Sequence, residues 1–285
     1  MLLLPTSSAC AENLDRDTVQ RFDEYWRVGG RAEEVLPEAL DVFNSHFAIF
    51  PWEQLRADAA GFDVGCGNGR WARFVAERVG VLYCIDASAA ALSQARRLLQ
   101  GISNCTFVRG SVEALPLRDS SMDFGYAIGL LHYVPDPGAA LRACVSKLKK
   151  GAPFLVYAYY ALDNRPPWYR LLWRQVDLVR LAIAHAPFWV RYIVSQAVAV
   201  GVYFPLARVA RLMESHGIDV GQIPLSAYRN RSFRTMRLDA LNRFNQRLEH
   251  RFTRTRLQEL MAAAGLERIT FSTLPAYWRA VGYRG

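Results

Sequence analysis

Asp63-Val64-Gly65-Cys66-Gly67-Asn68-Gly69-Arg70 is the stretch of this 285-residue chain best suited to hold a ligand. It follows a β-rich run and opens a helical one, the setting in which a glycine loop grips a small molecule. Glycine spacing selects among ligands. A dinucleotide fingerprint would place a third glycine three residues after the second; here Gly69 stands two after Gly67, and Arg70 follows. A phosphate loop would require Gly-Lys-Ser or Gly-Lys-Thr, and neither occurs. The expectation is a tight turn, free of side chains, that lets a ligand press against backbone rather than a pyrophosphate cradle. Asp63 can orient that turn or meet a ligand ammonium. Asp86 closes the next β-rich run, 23 residues on. A carboxylate there can accept both hydroxyls of a ribose, or it can cap the helix that follows. Together the two elements favour an adenosine-bearing ligand.

These residues need a frame. From residue 59, short β-rich runs alternate with helical stretches: 59–64, 81–85, 105–109, 122–128 and 152–160, with helices over 70–79, 89–99 and 137–148. That rhythm implies a parallel sheet with crossover helices. It resumes after residue 250. A capping box at Thr255-Arg256-Leu257-Gln258 is expected to open a helix that Gly265 ends, followed by strands over 266–273 and 277–283 joined through Pro275. So short a link makes a hairpin, hence one antiparallel strand at the end of the sheet. The fold expected is α/β, a Rossmann-like seven-stranded, mostly parallel sheet with its last strand antiparallel. N-terminal helices precede it, with apolar positions Val19, Phe22 and Trp26, then Leu36, Leu40, Phe43 and Phe47, broken at Gly29-Gly30. The divisions are 1–57, N-terminal helices; 58–160, the α/β core; 161–250, a helical insertion after the fifth strand; and 251–285, the rest of the core.

Two further stretches follow strands three and four: Arg109-Gly110-Ser111-Val112-Glu113 and Ile128-Gly129-Leu130-Leu131-His132-Tyr133-Val134-Pro135-Asp136-Pro137. With the glycine loop and Asp86, in this order, they resemble the class I S-adenosylmethionine-dependent methyltransferases, small-molecule branch. The resemblance covers 59–160 and 251–285. It implies S-adenosyl-L-methionine as cofactor. It also implies that Asp63, Gly65, Cys66 and Gly67 hold the methionine part, Asp86 the ribose, Ala87 the adenine face, and Ser111, Val112 and Glu113 the adenine edge. Ile128, Gly129 and Leu130 would pass beneath the sulfonium. The family often has Asp where Ser111 stands. Methyl transfer from a sulfonium is an in-line displacement, so alignment supplies most of the catalysis, on the order of 7–11 kcal/mol. A base is needed only where the acceptor loses a proton, and His132 is the candidate; the alternative is a histidine that stacks on the rim. Tyr133 and Tyr159 are candidates for the acceptor pocket, with plain sheet packing as the alternative. Tyr25 and Trp26, which with Phe22 share one face of the first helix, are further substrate-binding candidates; the resemblance implies that the helices of 1–57 lid the cofactor, with ordinary core packing as the alternative, and the insertion 161–250 is expected to bind the acceptor. His46, His185, His216 and His250 show no pairing in sequence and are expected at the rim or surface.

Composition narrows the rest. The chain is 52% hydrophobic and carries a net charge of +9, which excludes a disordered chain. Residues 1–160 have a net charge of −2, 161–256 of +10 and 257–285 of +1; all but three of the 35 basic residues are Arg. Arg forks suit carboxylate and phosphate groups. Arg243, Arg247, Arg251 and Arg254 have helical spacing, which makes either an anion patch or a solvated helix face. No Cys or His spacing fits a metal. The start Met1-Leu2-Leu3-Leu4-Pro5 lacks a basic segment, so the cytoplasm is expected. The apolar run 192–207 has 16 residues, below the ~18–20 of a spanning helix, so no transmembrane segment is expected and peripheral membrane contact stays open. The acceptor expected is a small or medium organic molecule, aromatic or apolar, with oxygen before nitrogen and carbon as the methylated atom. Alternatives are an RNA methyltransferase, motivated by the basic segment although no nucleic-acid module is recognisable, and a non-catalytic cofactor-binding subunit. Oligomeric state is not legible.

Overall fold

In the computed structural model, residues 15–29, 39–162, 166–221, 223–273 and 277–285 are described. Residues 1–5, Gly30, Leu36 and Pro275, singled out above, lie outside them. The chain divides into two units, residues 1–161 with 248–285, and residues 162–247.

The first unit is built on seven strands: β1 (Ala60–Val64), β2 (Val81–Asp86), β3 (Cys105–Arg109), β4 (Phe124–Ile128), β5 (Pro153–Ala158), β6 (Leu266–Phe271) and β7 (Trp278–Arg284). Their order is β3-β2-β1-β4-β5-β7-β6. Strands β1 to β5 pair in parallel, and β7 pairs antiparallel with both β5 and β6. The antiparallel strand is therefore not at the edge: β7 inserts between β5 and β6. A short hairpin fixes the pairing of its own two strands but not which of them meets the older sheet. Strand order reverses between β1 and β4, and in such sheets ligands bind at the carboxyl ends beside that switch.

Helices cover both faces, as near-continuous apolar strands require. On one face α5 (Pro137–Lys147) and α10 (Arg254–Ala263) bury Leu141, Val145, Leu257 and Met261 against Phe62, Phe154 and Val156. On the other, α2 (Ala39–His46), α3 (Arg70–Ala76) and α4 (Ala89–Leu98) bury Phe43, Trp71, Val75 and Leu92 against Leu82, Cys84, Tyr126 and Leu155. Helix α1 (Arg16–Gly29) precedes them. Starts follow capping chemistry. Ser88 Oγ accepts from Ala91 N at the head of α4, and Asp136 accepts from Gly138 N and Ala139 N, with Pro137 in the first turn of α5. Asp86 is therefore not the cap of α4. The cap of α10 is Thr253, two residues before the expected box; its third helical residue is Arg256, whose N–H Thr253 holds. Gly265, at φ +93°, ends that helix as expected.

The second unit holds α6 (Pro167–Ala184), α7 (Phe188–Val198), a π-helical turn Ala199–Tyr203, α8 (Phe204–Ser215) and α9 (Phe233–Asn245). Ala199, Tyr203 and Ala207 pack on Met236 and Ala240 of α9. Helix α7, the π turn and α8 run on as one 28-residue helix, Phe188–Ser215, long and apolar enough by length and composition to cross a membrane. The 16-residue run read from the sequence undercounts it, because Arg191 and Arg208 interrupt the composition without interrupting the helix. Arg243, Arg247, Arg251 and Arg254 do not form one helix face. Helix α9 ends at Asn245 and α10 starts at Arg254, so the four share no helix. Arg243 stacks 3.7 Å above the Trp173 ring, and Arg254 lies over Phe271.

Candidate active site

At the carboxyl end of β1 the chain turns back on three glycines with positive φ: Gly65 (+73°), Gly67 (+55°) and Gly69 (+78°). Any other residue would pay about 1–2 kcal/mol at each. The N–H groups of Gly65 and Cys66 both donate to Ile85 O, at 2.8 and 3.1 Å, which ties the turn to β2. Asp86, at the end of β2, completes the tie: Gly67 N donates to its Oδ2 and Ser88 N to its Oδ1, each at 2.8 Å. Each oxygen keeps a lone pair for a further donor. Removal from water raises the Asp86 carboxyl to about 6; the Ser88 and Gly67 N–H bonds oppose the rise and Asp23 adds to it. Cys66 is buried beside this turn. Beneath it Asp63 is 1% exposed, and its Oδ2 has no hydrogen-bond partner. Burial raises this carboxyl well above the carboxylate range, with the nearby Tyr126 hydroxyl acting against the rise.

Helix α1 lies along this edge. Asp23 accepts from Ser88 Oγ and from Ala90 N (3.1 Å), and Gln94 Nε2 donates to Trp26 O. Trp26 covers the glycine turn so closely that a Cβ at Gly67 would stand 2.7 Å from its ring. Tyr25 packs edge-on against Trp26, and Phe22 against Tyr133. One short helix thus touches the ends of both β2 and β4. On the β3 side, Gly110 N donates to Asp86 O and Arg109 Nε to Ala87 O. Ser111 leads into the 3₁₀ turn Val112–Ala114, where Val112 is buried and Glu113 Oε2 has no partner.

The end of β4 is open. Gly129 (φ +84°) follows Ile128, and a Cβ built on it would meet nothing within 4 Å. Leu130 packs against Gly65, 3.1 Å from where a Cβ would be. The 3₁₀ turn Leu131–Tyr133 then carries His132 into the interior, 1% exposed. Its ring stacks on Tyr159 at 3.7 Å, and its carbonyl accepts from His250 N at 2.8 Å. Nδ1 of His132 has no hydrogen-bond partner among the described residues. Burial, with Arg251 and His250 close by, holds this imidazole well below 6.5, so it is neutral at physiological pH. The Tyr133 and Tyr159 hydroxyls meet at 3.3 Å.

Side chains that the spacing did not single out for this site join the cluster. Arg251 donates to Glu249, whose second oxygen is buried without a partner, as is Nε2 of His250. Arg279 on β7 sits across from Tyr157 on β5. It is 7% exposed, and its Nε donates to His46 Nδ1 at 3.4 Å. Burial lowers the Arg279 pKa, and Tyr157 and Tyr277 partly offset this. His46 is buried between Trp71 and Tyr157, not at the surface. His185 and His216 are exposed and bond to carbonyls at helix ends. No periodicity marks Glu249, and the helical spacing that includes Arg251 does not point to this site; both lie in the irregular stretch between α9 and α10. Alternation on β7 was the one signal available for Arg279. Among the described residues no three His, Cys, Asp or Glu side chains are grouped to hold a metal.

Residues 62–156 match the methyltransferase domain family. The chain is 29% identical over 167 residues to the ubiquinone biosynthesis O-methyltransferase of Hahella chejuensis, covering 55% of this chain and 65% of that protein. It is 26% identical over 226 residues to the protein of the same name from Neisseria meningitidis, covering 73% and 84%. To the sterol 4-C-methyltransferase strm-1 of Caenorhabditis elegans it is 32% identical, over 48% of this chain and 43% of that protein. It thus spans just under two thirds of the first of these relatives and less than half of the last. Among solved structures, magnesium protoporphyrin IX methyltransferase from Synechocystis with bound SAH aligns over 93% of this chain and 95% of its own, with a TM-score of 0.51 and 11% identity. At that identity the likeness concerns fold alone. The sheet order, the glycine turn with Asp86, and the family match together make the α/β unit a class I S-adenosylmethionine-dependent methyltransferase domain.

Proposed function

We propose that this chain transfers a methyl group to a small or medium organic acceptor, aromatic or apolar, most readily at oxygen. The observation that carries the reading is Asp86 bonded to the Gly67 N–H at the switch between β1 and β4, beside an open backbone at Gly129. The residues fit the cofactor on one physical ground: Asp63 Oδ2 is a buried acceptor with no hydrogen-bond partner among the described residues. S-adenosylmethionine supplies an activated methyl on its sulfonium when bound. Asp86 would hold the ribose hydroxyls, and Asp63, Gly65, Cys66 and Gly67 the amino-acid end. Ala87, Ser111, Val112 and Glu113 would line the adenine, and Ile128, Gly129 and Leu130 the space below the methyl. Helix α1, through Tyr25 and Trp26, acts as a lid that keeps water out.

On the acceptor side His132 takes up the proton that a hydroxyl must lose. Its depressed pKa is no obstacle, because the proton becomes acidic only as the oxygen–carbon bond forms; the buried base needs merely to be neutral and unbonded, as Nδ1 is. Tyr133 and Tyr159 orient the ring. Arg279, a buried guanidinium with no carboxylate paired to it among the described residues, suits an acceptor that also carries an acid group. The relatives bear O-methyltransferase and C-methyltransferase names, and the proposed base favours the O-methyl outcome. The test is transfer of labelled methyl by the purified chain to a panel of phenols and hydroxybenzoates, with total RNA in parallel. Label in the phenol pool supports the reading. Label in RNA, or cofactor binding with no transfer to any pool, overturns it in favour of an RNA enzyme or a non-catalytic subunit.

A further inference from the structure

The second unit wears its apolar residues on the outside. Of the large hydrophobic side chains exposed in the described residues, all but Val28 and Leu40 lie between Trp168 and Ile218. On α7, the π turn and α8 the inward stripe is Ser195, Ala199, Tyr203 and Ala207, and the outward one carries Trp189, Ile193, Val200 and Phe204 at 40–65% exposure. From residue 186 to 207 the sole charged side chain is Arg191, and it is buried against Asn245. At ~1.5 Å per residue the helical part of this stretch, 188–207, gives an uncharged outer face of roughly 30 Å. Helix α6 continues the pattern with Trp168, Leu171 and Leu178 exposed. A water-facing helix has the opposite arrangement, and an exposed apolar patch of this extent marks an interaction surface.

Charge identifies what covers it. Residues 162–247 hold thirteen arginines against five carboxylates. Arg170, Arg174 and Arg211 are exposed on these same helices, with no carboxylate in ion-pair range among the described residues. A second copy would bring the same positive charge against itself, whereas an anionic lipid surface complements it. The helix cannot cross the bilayer while keeping its partner: α9 packs along α7 and carries Arg234, Arg237, Asp239 and Arg243. We propose that α6 and the α7–α8 rod lie in the plane of an anionic bilayer, apolar side chains in the acyl boundary and arginines among the phosphates. For the methyl transfer proposed above this would bring the chain to where apolar acceptors are dissolved; the docking itself does not depend on that reading.

The test is flotation of the full chain with phosphatidylcholine vesicles, with and without phosphatidylglycerol. The chain should float with the anionic vesicles, with a partition coefficient at least ten-fold above that for phosphatidylcholine alone and falling as salt is raised. The double variant Ile193→Asp, Val200→Asp places charge on the outer face only. It should lose at least ten-fold in partitioning while circular dichroism and S-adenosylhomocysteine affinity stay unchanged. Absence of flotation with anionic vesicles, or a double variant that floats like the parent, overturns the proposal. So does a parent dimer in vesicle-free solution that the same variant dissolves, or a bound fraction that resists alkaline carbonate, the mark of a spanning helix.

Discussion

Replacing Asp86 by Ala removes a carboxylate with two jobs. It would accept from the ribose hydroxyls, and it already accepts from Gly67 N and Ser88 N at 2.8 Å. Each hydrogen bond to a charged group contributes about 1.5–3 kcal/mol. Losing even the weaker of two ribose contacts raises the S-adenosylhomocysteine Kd about ten-fold, and losing both raises it about a hundred-fold or more. Acidity gives an independent reading of the same group. In the folded chain the Asp86 carboxyl takes its proton near pH 6, against 3.8 for an ordinary aspartate. The folded state is then the better proton binder between about pH 6 and 4. Holding the charge costs stability above pH 6, by at most about 3 kcal/mol because water reaches the rim of this half-buried side chain, and that cost disappears as the pH falls. Cofactor binding runs the other way. Two hydroxyl donors favour the charged form, so below pH 6 binding must expel a proton, and Kd should climb by up to about ten-fold per pH unit. Calorimetric titration of S-adenosylhomocysteine into the parent and Asp86→Ala from pH 8 to 5 measures both effects. A variant within two-fold of the parent at pH 7.5, together with a flat parental profile down to pH 5, would refute the assignment of Asp86 to the ribose.

His132→Asn should lower kcat about 10²-fold with the cofactor Kd unchanged, and the parental kcat at saturating cofactor should stay level well below pH 6.5, since burial keeps His132 neutral there; an acid limb centred at 6.5 or above, or a fully active variant, removes the base. Gly67→Ala should weaken cofactor binding and lower Tm by several degrees, because φ +55° is strained for alanine and its Cβ would press on Trp26. Gly101→Ala, also at positive φ but with open space around it, is the control that isolates backbone strain. Arg279→Met should leave Tm equal or higher, since an unpaired buried cation gives way to apolar volume. It should also raise KM for acid-bearing acceptors more than for their neutral analogues; equal effects on both would argue against an anion contact.

The turn at 65–69 and the acid at 86 were legible because local rules govern them: glycine is required where φ is positive, and strand alternation ends on Asp86. Five parallel strands followed from period and spacing alone. The sequence could state what Asp86 is suited to bind but left open whether it capped α4. The Ser88 cap and the 2.8 Å bond to Gly67, 19 residues earlier, closed that alternative through contacts between elements. Position within the sheet was likewise beyond local reading: nothing in Leu266–Phe271 or Trp278–Arg284 tells which strand meets β5. Glu249, Arg251, His132 and Tyr159 converge because a bridge pairs Tyr160 with Phe252, some ninety residues apart. The four arginines of helical spacing share no helix, since α9 ends at Asn245, where Arg180 and Arg191 bond to Gln246 O and Asn245. Hydropathy marked residues 192–207 as apolar, but only packing separates an apolar face turned inward from one turned out. Side-chain type is set by the chain itself; which side faces water is set by what the tertiary fold leaves uncovered.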